Sequence, residues 1–119
     1  MLNHQDQLNT IFHALADPTR RAIVERLSLG PASIGELAEP MPMSLAAVVQ
    51  HVQLLERAHL ITSQKHGRVR TCTIEAATLE TLEGWLTQRR RHWERLFDRL
   101  EAVLDGQDQK PKSPKRKKP

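Results

Sequence analysis

The sequence of 119 residues contains one cysteine, no tyrosine, and only two phenylalanines and two tryptophans. With Cys72 alone, neither an intrachain disulfide nor a cysteine-built zinc site can form, a pattern that suits a reducing compartment. The histidines, His4, His13, His51, His59, His66 and His92, are scattered, and none pairs closely with Cys or Asp at metal-ligand spacing. No Gly-rich phosphate loop, no nucleophile beside a base and no paired acids in a defined setting are present, which argues against an enzyme. The opening MLNHQDQLNTIFHAL lacks the basic start and continuous apolar run of a signal peptide. No stretch approaches the length of a membrane span. These absences lead to the expectation of a cytoplasmic protein with no resident metal or cofactor and no membrane partner.

Charge is present but unevenly placed. The formal net charge is +4 and the pI 9.7, yet residues 110–119, KPKSPKRKKP, hold six of the 18 Lys and Arg and no acid. The body is therefore slightly acidic, and the overall basicity belongs to the tail. Residues 1–105 are expected to form one domain, and 106–119 a disordered basic end. Only a local cluster can mark a site within the body. Between Ser44 and Arg70 one acid, Glu56, stands against Arg57, Lys65, Arg68 and Arg70.

The apolar period divides the chain into elements. Leu8, Ile11, Phe12 and Leu15 recur at helical spacing, so a first helix covers about 5–16. Asp17-Pro18 starts a second, through Ala22, Ile23 and Leu27, and Gly30-Pro31 ends it. Ser33 and Glu36 fit a capping box for a short third helix over about 33–39. Ser44 caps a fourth, from Leu45 to about Ala58. Two helices, a tight turn and a capped helix make a helix-turn-helix pattern. LITSQK and RVRTCTI then read as a two-stranded hairpin turning at His66-Gly67, a small wing. From about Ala77, Leu79, Leu82, Leu86, Trp93, Leu96, Leu100 and Val103 trace one long helix of about seven turns. The fold class is mainly α: a winged helix-turn-helix of about five helices plus a two-stranded β-hairpin.

The fourth helix has an unusual outer face. At about 100° per residue, Leu45, Val48, Val52 and Leu55 fall on one side and Ala46, Gln50, Gln53 and Arg57 on the other, with Val49 at the edge. A surface helix bathed in water usually carries long charged side chains there. A slim strip with amides and small apolar groups suits the major groove, where amides pair with base edges and methyls meet thymine.

MSLAAVVQHVQLLERAHLI, preceded by LADPTRRAIVERL and followed by GRVRTCTI, resembles the ArsR family of winged-helix transcriptional repressors, in its branch without metal sites. The resemblance covers roughly residues 8–104. It implies a dimer whose fourth helix enters the major groove and whose hairpin touches flanking phosphates. The chain departs from the family pattern at Val49 and Gln50, where a serine and a lysine are frequent, at His59 in place of a glycine, and at Cys72 in place of a tyrosine. His59 is accordingly expected to adopt a left-handed backbone conformation.

The candidate DNA-binding residues are Ser44, Ala46, Val49, Gln50, His51 and Gln53 on the helix-turn-helix, with Lys65, His66, Arg68 and Arg70 on the wing. Gln50 and Gln53 can read adenine, and Arg68 and Arg70 supply charge to phosphates. His51, on the shoulder of the helix, could equally donate to a phosphate or brace the motif internally. Arg20 and Arg21, near a helix start that disfavours cations, suggest backbone contacts from Arg20 or an ion pair such as Arg21 with Glu25. Cys72 reads as a buried structural thiol, with redox sensing the minor alternative. The last helix exposes more apolar stripe than one small body can cover, and each large side chain left in water forfeits about 1.5–3 kcal/mol. A second copy would cover it, with Leu8, Ile11, Phe12, Leu86, Trp93, Leu96 and Leu100 as the dimer-interface candidates. The expectation is a homodimeric, sequence-specific repressor on a palindromic operator of double-stranded DNA. The rival is a protein-interaction module that kept the winged-helix shape without base readout. The sequence does not indicate an effector.

Overall fold

The computed structural model describes residues 4–108. The elements, in order, are α1 (His4–Leu15), α2 (Pro18–Leu27), β1 (Ala32–Ser33), α3 (Ile34–Ala38), α4 (Leu45–Arg57), β2 (Ile61–His66), β3 (Val69–Ile74) and α5 (Ala76–Asp108). The chain divides within α5, between Glu83 and Gly84, into two compact units. Residues 106–108, assigned to the tail from sequence, continue α5, and the rest of the basic tail lies outside the described residues.

Three of the helix starts are set by side chains that accept the first free backbone N–H groups. Asp17 accepts from Arg20 N at 3.0 Å, with Pro18 at the first helical position of α2. Ser33 and Glu36 close a reciprocal capping box on α3: Glu36 N donates to Ser33 Oγ at 3.1 Å and Ser33 N to Glu36 Oε1 at 2.8 Å. At α4, Ala47 N donates to Ser44 Oγ at 3.1 Å. That helix ends at Arg57, and two residues on His59 adopts φ +60°, the left-handed conformation expected there. Two further bonds fix this corner: Thr78 donates its hydroxyl to His59 O, and Glu75 N donates to Leu60 O at 2.9 Å.

The core of the first unit is built from Ile11 and Ala14 of α1, Ile23 and Leu27 of α2, Leu37 of α3, Val48, Val52 and Leu55 of α4, and Leu60, Ile61 and Cys72 of the sheet region. Leu8 is buried as well. Leu8 and Ile11, expected at a dimer interface, thus have almost no surface left to give; on α1 only Phe12 of the three remains well exposed. The reason is that α1 turns its leucine and isoleucine inward, where α2 packs against it.

The sheet has three strands rather than two, in the order β1-β3-β2, all antiparallel. β1 contributes only Ala32 and Ser33, paired with Cys72 and Thr71. Two residues are too few to show a period in sequence. The hairpin turn is also displaced by one residue: His66 pairs with Val69, which leaves Gly67 (φ +64°) and Arg68 at the tip. α5 is longer than expected, 33 residues or about nine turns.

In the second unit, α5 leaves a line of large apolar side chains in solvent: Leu86, Trp93, Leu96, Phe97, Leu100, Val103 and Leu104 are each 45–59% exposed. Arg89 lies over the Trp85 ring at 5.4 Å from its centroid. No helix among the described residues is long and apolar enough to cross a membrane.

Candidate nucleic-acid interface

Helix α4 is held by one face and offers the other. Val48, Val52 and Leu55 are fully buried, while Ser44, Ala46, Gln50, Gln53 and Arg57 are exposed and Val49 is half-buried. The outer strip read from sequence is therefore free within the chain. One assignment differs. Leu45, placed on the buried side by angle, is 58% exposed, because it stands one turn before Val48 and the core does not reach that far along the axis.

The helix is braced at its shoulder by the corner between α1 and α2. Arg20 Nε donates to Ala14 O at 2.7 Å and its Nη2 to His13 O at 3.3 Å, satisfying carbonyls at the end of α1. Its Nη1 lies 3.3 Å from His51 Nδ1, and Asp17 Oδ2 lies 3.9 Å from the same nitrogen. One guanidinium thus ties the end of α1 to the middle of α4. His51, 24% exposed in its side chain, is the internal contact that this requires. Arg21 donates to Leu15 O at 2.8 Å rather than pairing with Glu25. The Asp17 carboxyl is held below its usual pKa, first by the Arg20 N–H and then by the charges of His51 and Arg20.

The wing collects cations on one face. Successive strand residues alternate faces, so Ser63 and Lys65 of β2 share a side with Arg70 and Cys72 of β3, the side turned to α4. Lys65 stands directly opposite Arg70 in the ladder, a like-charge pair that disfavours the free hairpin. Arg70 Nη1 donates to Ser63 Oγ at 3.0 Å, and Ser63 Oγ donates to Glu56 Oε2 of α4 at 2.5 Å. This line joins β3, β2 and the recognition-helix candidate. Arg68 sits exposed at the tip. His66 falls on the opposite face, where it lines a shallow recess with Pro31, Thr62, Gln64, Thr71 and Thr73. It is thereby separated from Lys65 and Arg70.

Cys72 is completely buried. Burial, reinforced by the nearby Glu56 charge, pushes its thiol pKa up, the reverse of what a reactive thiolate needs. Among the described residues, no group of three or more His, Cys, Asp or Glu is placed to hold a metal ion. Sequence reasoning missed Leu45 as an outward group and missed the Glu56–Ser63–Arg70 line. The register that brings Ser63 beside both charges has no local signal.

Residues 15–64 match the family model of a helix-turn-helix domain. The chain is 38% identical, over 81% of its own length and 87% of the relative's, to the HTH-type transcriptional regulator Rv2034 of Mycobacterium tuberculosis. It also matches the crystal structure of an ArsR family transcriptional regulator at 48% identity and TM-score 0.72, covering 79% of this chain and 97% of that one. The chain belongs to the ArsR family. A further relative of this ArsR-family chain is the transcriptional repressor SdpR of Bacillus subtilis, 28% identical over 66% of this chain and 88% of that protein. The molecule is a DNA-binding regulator of transcription with a winged helix-turn-helix, and not an enzyme.

Proposed function

We propose that the protein is a cytoplasmic, homodimeric repressor that occupies a palindromic operator, with α4 of each copy in a major groove and the wing on the flanking phosphates. The observation that carries this reading is the exposure of Gln50 and Gln53, with Ala46, on a helix whose opposite side is locked into the core. Each amide can pair bidentately with adenine. Ser44, at the helix start, is within a side chain's reach of a phosphate, and Arg68, Lys65 and Arg70 provide affinity that does not depend on sequence. His51 serves as a brace to Arg20 and Asp17 in this arrangement. His66, on the far face of the wing, contributes less than Arg68.

A second copy would cover the apolar line of α5. Two recognition helices would then be displayed about one DNA turn apart, near 34 Å. The repressor assignment is supported by the name of one relative, the SdpR repressor.

The test separates readout from attraction. Gln50→Ala is expected to lower affinity for the operator by about tenfold or more while leaving random duplexes unchanged, as expected for loss of one bidentate base contact. Arg68→Ala should weaken both alike and flatten the salt dependence by about one unit of slope. Fluorescence anisotropy on a footprinted upstream duplex and on a scrambled duplex measures this. Equal losses for Gln50→Ala on the two duplexes would contradict the assignment and favour a protein partner for the same face.

A further inference from the structure

Leu45 is the first residue of α4 and is 58% exposed. An isolated exposed leucine is ordinary on a protein surface. This one is set apart by its surroundings. It follows the capping Ser44 at the N-terminal end of the helix, the end that a groove-bound helix offers to bases, on the side of Val48 rather than of Gln50, and the exposed groups of the outer strip, Ala46, Gln50 and Gln53, carry no charge.

We infer that Leu45 is a specificity-determining residue that reads the C5 methyl of a thymine in each operator half-site. The inference rests on the major-groove reading of α4 given above and names one of its base contacts. An isobutyl group has no donor and no acceptor. Set against purine N7, guanine O6 or the amino groups of adenine or cytosine, it would strip water from a polar atom and return nothing, so those edges are rejected. The thymine methyl is the one apolar group that the unmodified major-groove edge presents. Among the large apolar side chains of α4, Leu45 is the exposed one, Val49 being half-buried. Gln50 and Gln53 select adenine in the same half-site, and every A·T pair supplies a thymine methyl to the same groove.

The experiment uses the full chain and a duplex selected from a random pool. Each thymine is replaced in turn by uracil, which keeps the hydrogen-bonding edge and deletes only the methyl. At one thymine per half-site, uracil is expected to weaken wild-type binding by about three- to fivefold, the worth of one buried methyl. Leu45→Ala should weaken binding to the thymine duplex by at least as much, and uracil at that position should then cost the variant nothing further. Circular dichroism checks that the variant keeps its helical content, as expected for a residue outside the core. Indifference of the wild type to uracil at every thymine would overturn the assignment, and so would a full uracil penalty persisting in Leu45→Ala. Failure of the pool to yield any preferred duplex would overturn the base-reading regulator itself, a distinguishable result.

Discussion

Asp17 links a cap, an ion pair and a pH dependence in one side chain. Its carboxylate accepts the Arg20 N–H and faces His51, so its folded-state pKa lies below the unfolded value. Glu36 is lowered in the same sense, chiefly by the Ser33 N–H. A depressed carboxyl contributes stability above its unfolded pKa, near 4 for both residue types. That contribution disappears as pH falls through the folded value. Wild-type urea midpoints should therefore drop on acidification below about pH 4. Asp17→Asn, which keeps a capping oxygen but cannot ionise, should show a shallower drop, read by unfolding curves between neutral and acidic pH. A drop equal to that of wild type would remove Asp17 from the acid response. These caps were legible in the sequence because Asp-Pro and Ser-x-x-Glu are local patterns with a local mechanism. Leu45 was not, since a helical wheel gives the direction of a side chain around the axis and not how far along the axis the core extends. The burial of Leu8 and Ile11 within the chain was not legible for a related reason: an apolar stripe does not say whether its cover is the chain itself or another copy.

Among the elements, α1 to α4 followed from period and capping to within a residue or two, including the left-handed His59, while α5 ran about two turns past its expected length. The sheet was less legible. β1 has only two residues, and the turn moved by one because strand register is settled by burial of Cys72 and Ile61 rather than by the glycine alone. That register sets the Glu56–Ser63–Arg70 line, which couples the wing to α4. If the line acts as a unit, Ser63→Ala should cost about 1 kcal/mol in the wild type. It should cost much less in a Glu56→Ala background, because the two residues share one interaction. A double-mutant cycle from chemical denaturation measures this, and strict additivity would show that the wing is positioned by backbone pairing alone.

For the molecule as a whole, the decisive feature is the apolar line of α5. Trp93 and Leu100 are 57% and 52% exposed, so neither is needed inside the single chain. Trp93→Glu with Leu100→Glu is expected to yield a folded monomer by sedimentation, with thermal melting retained in the first unit and operator affinity reduced because paired half-sites are no longer engaged together. A variant that still sediments as a dimer would move the interface elsewhere. The opposed Lys65 and Arg70 on the wing carry a different consequence. Dissolved ions soften the repulsion between them and so steady the unbound hairpin, while under the proposed wing contact the same ions would compete for the nucleic-acid backbone. Ionic strength would thus pull on the two sides of such a binding equilibrium in opposite directions.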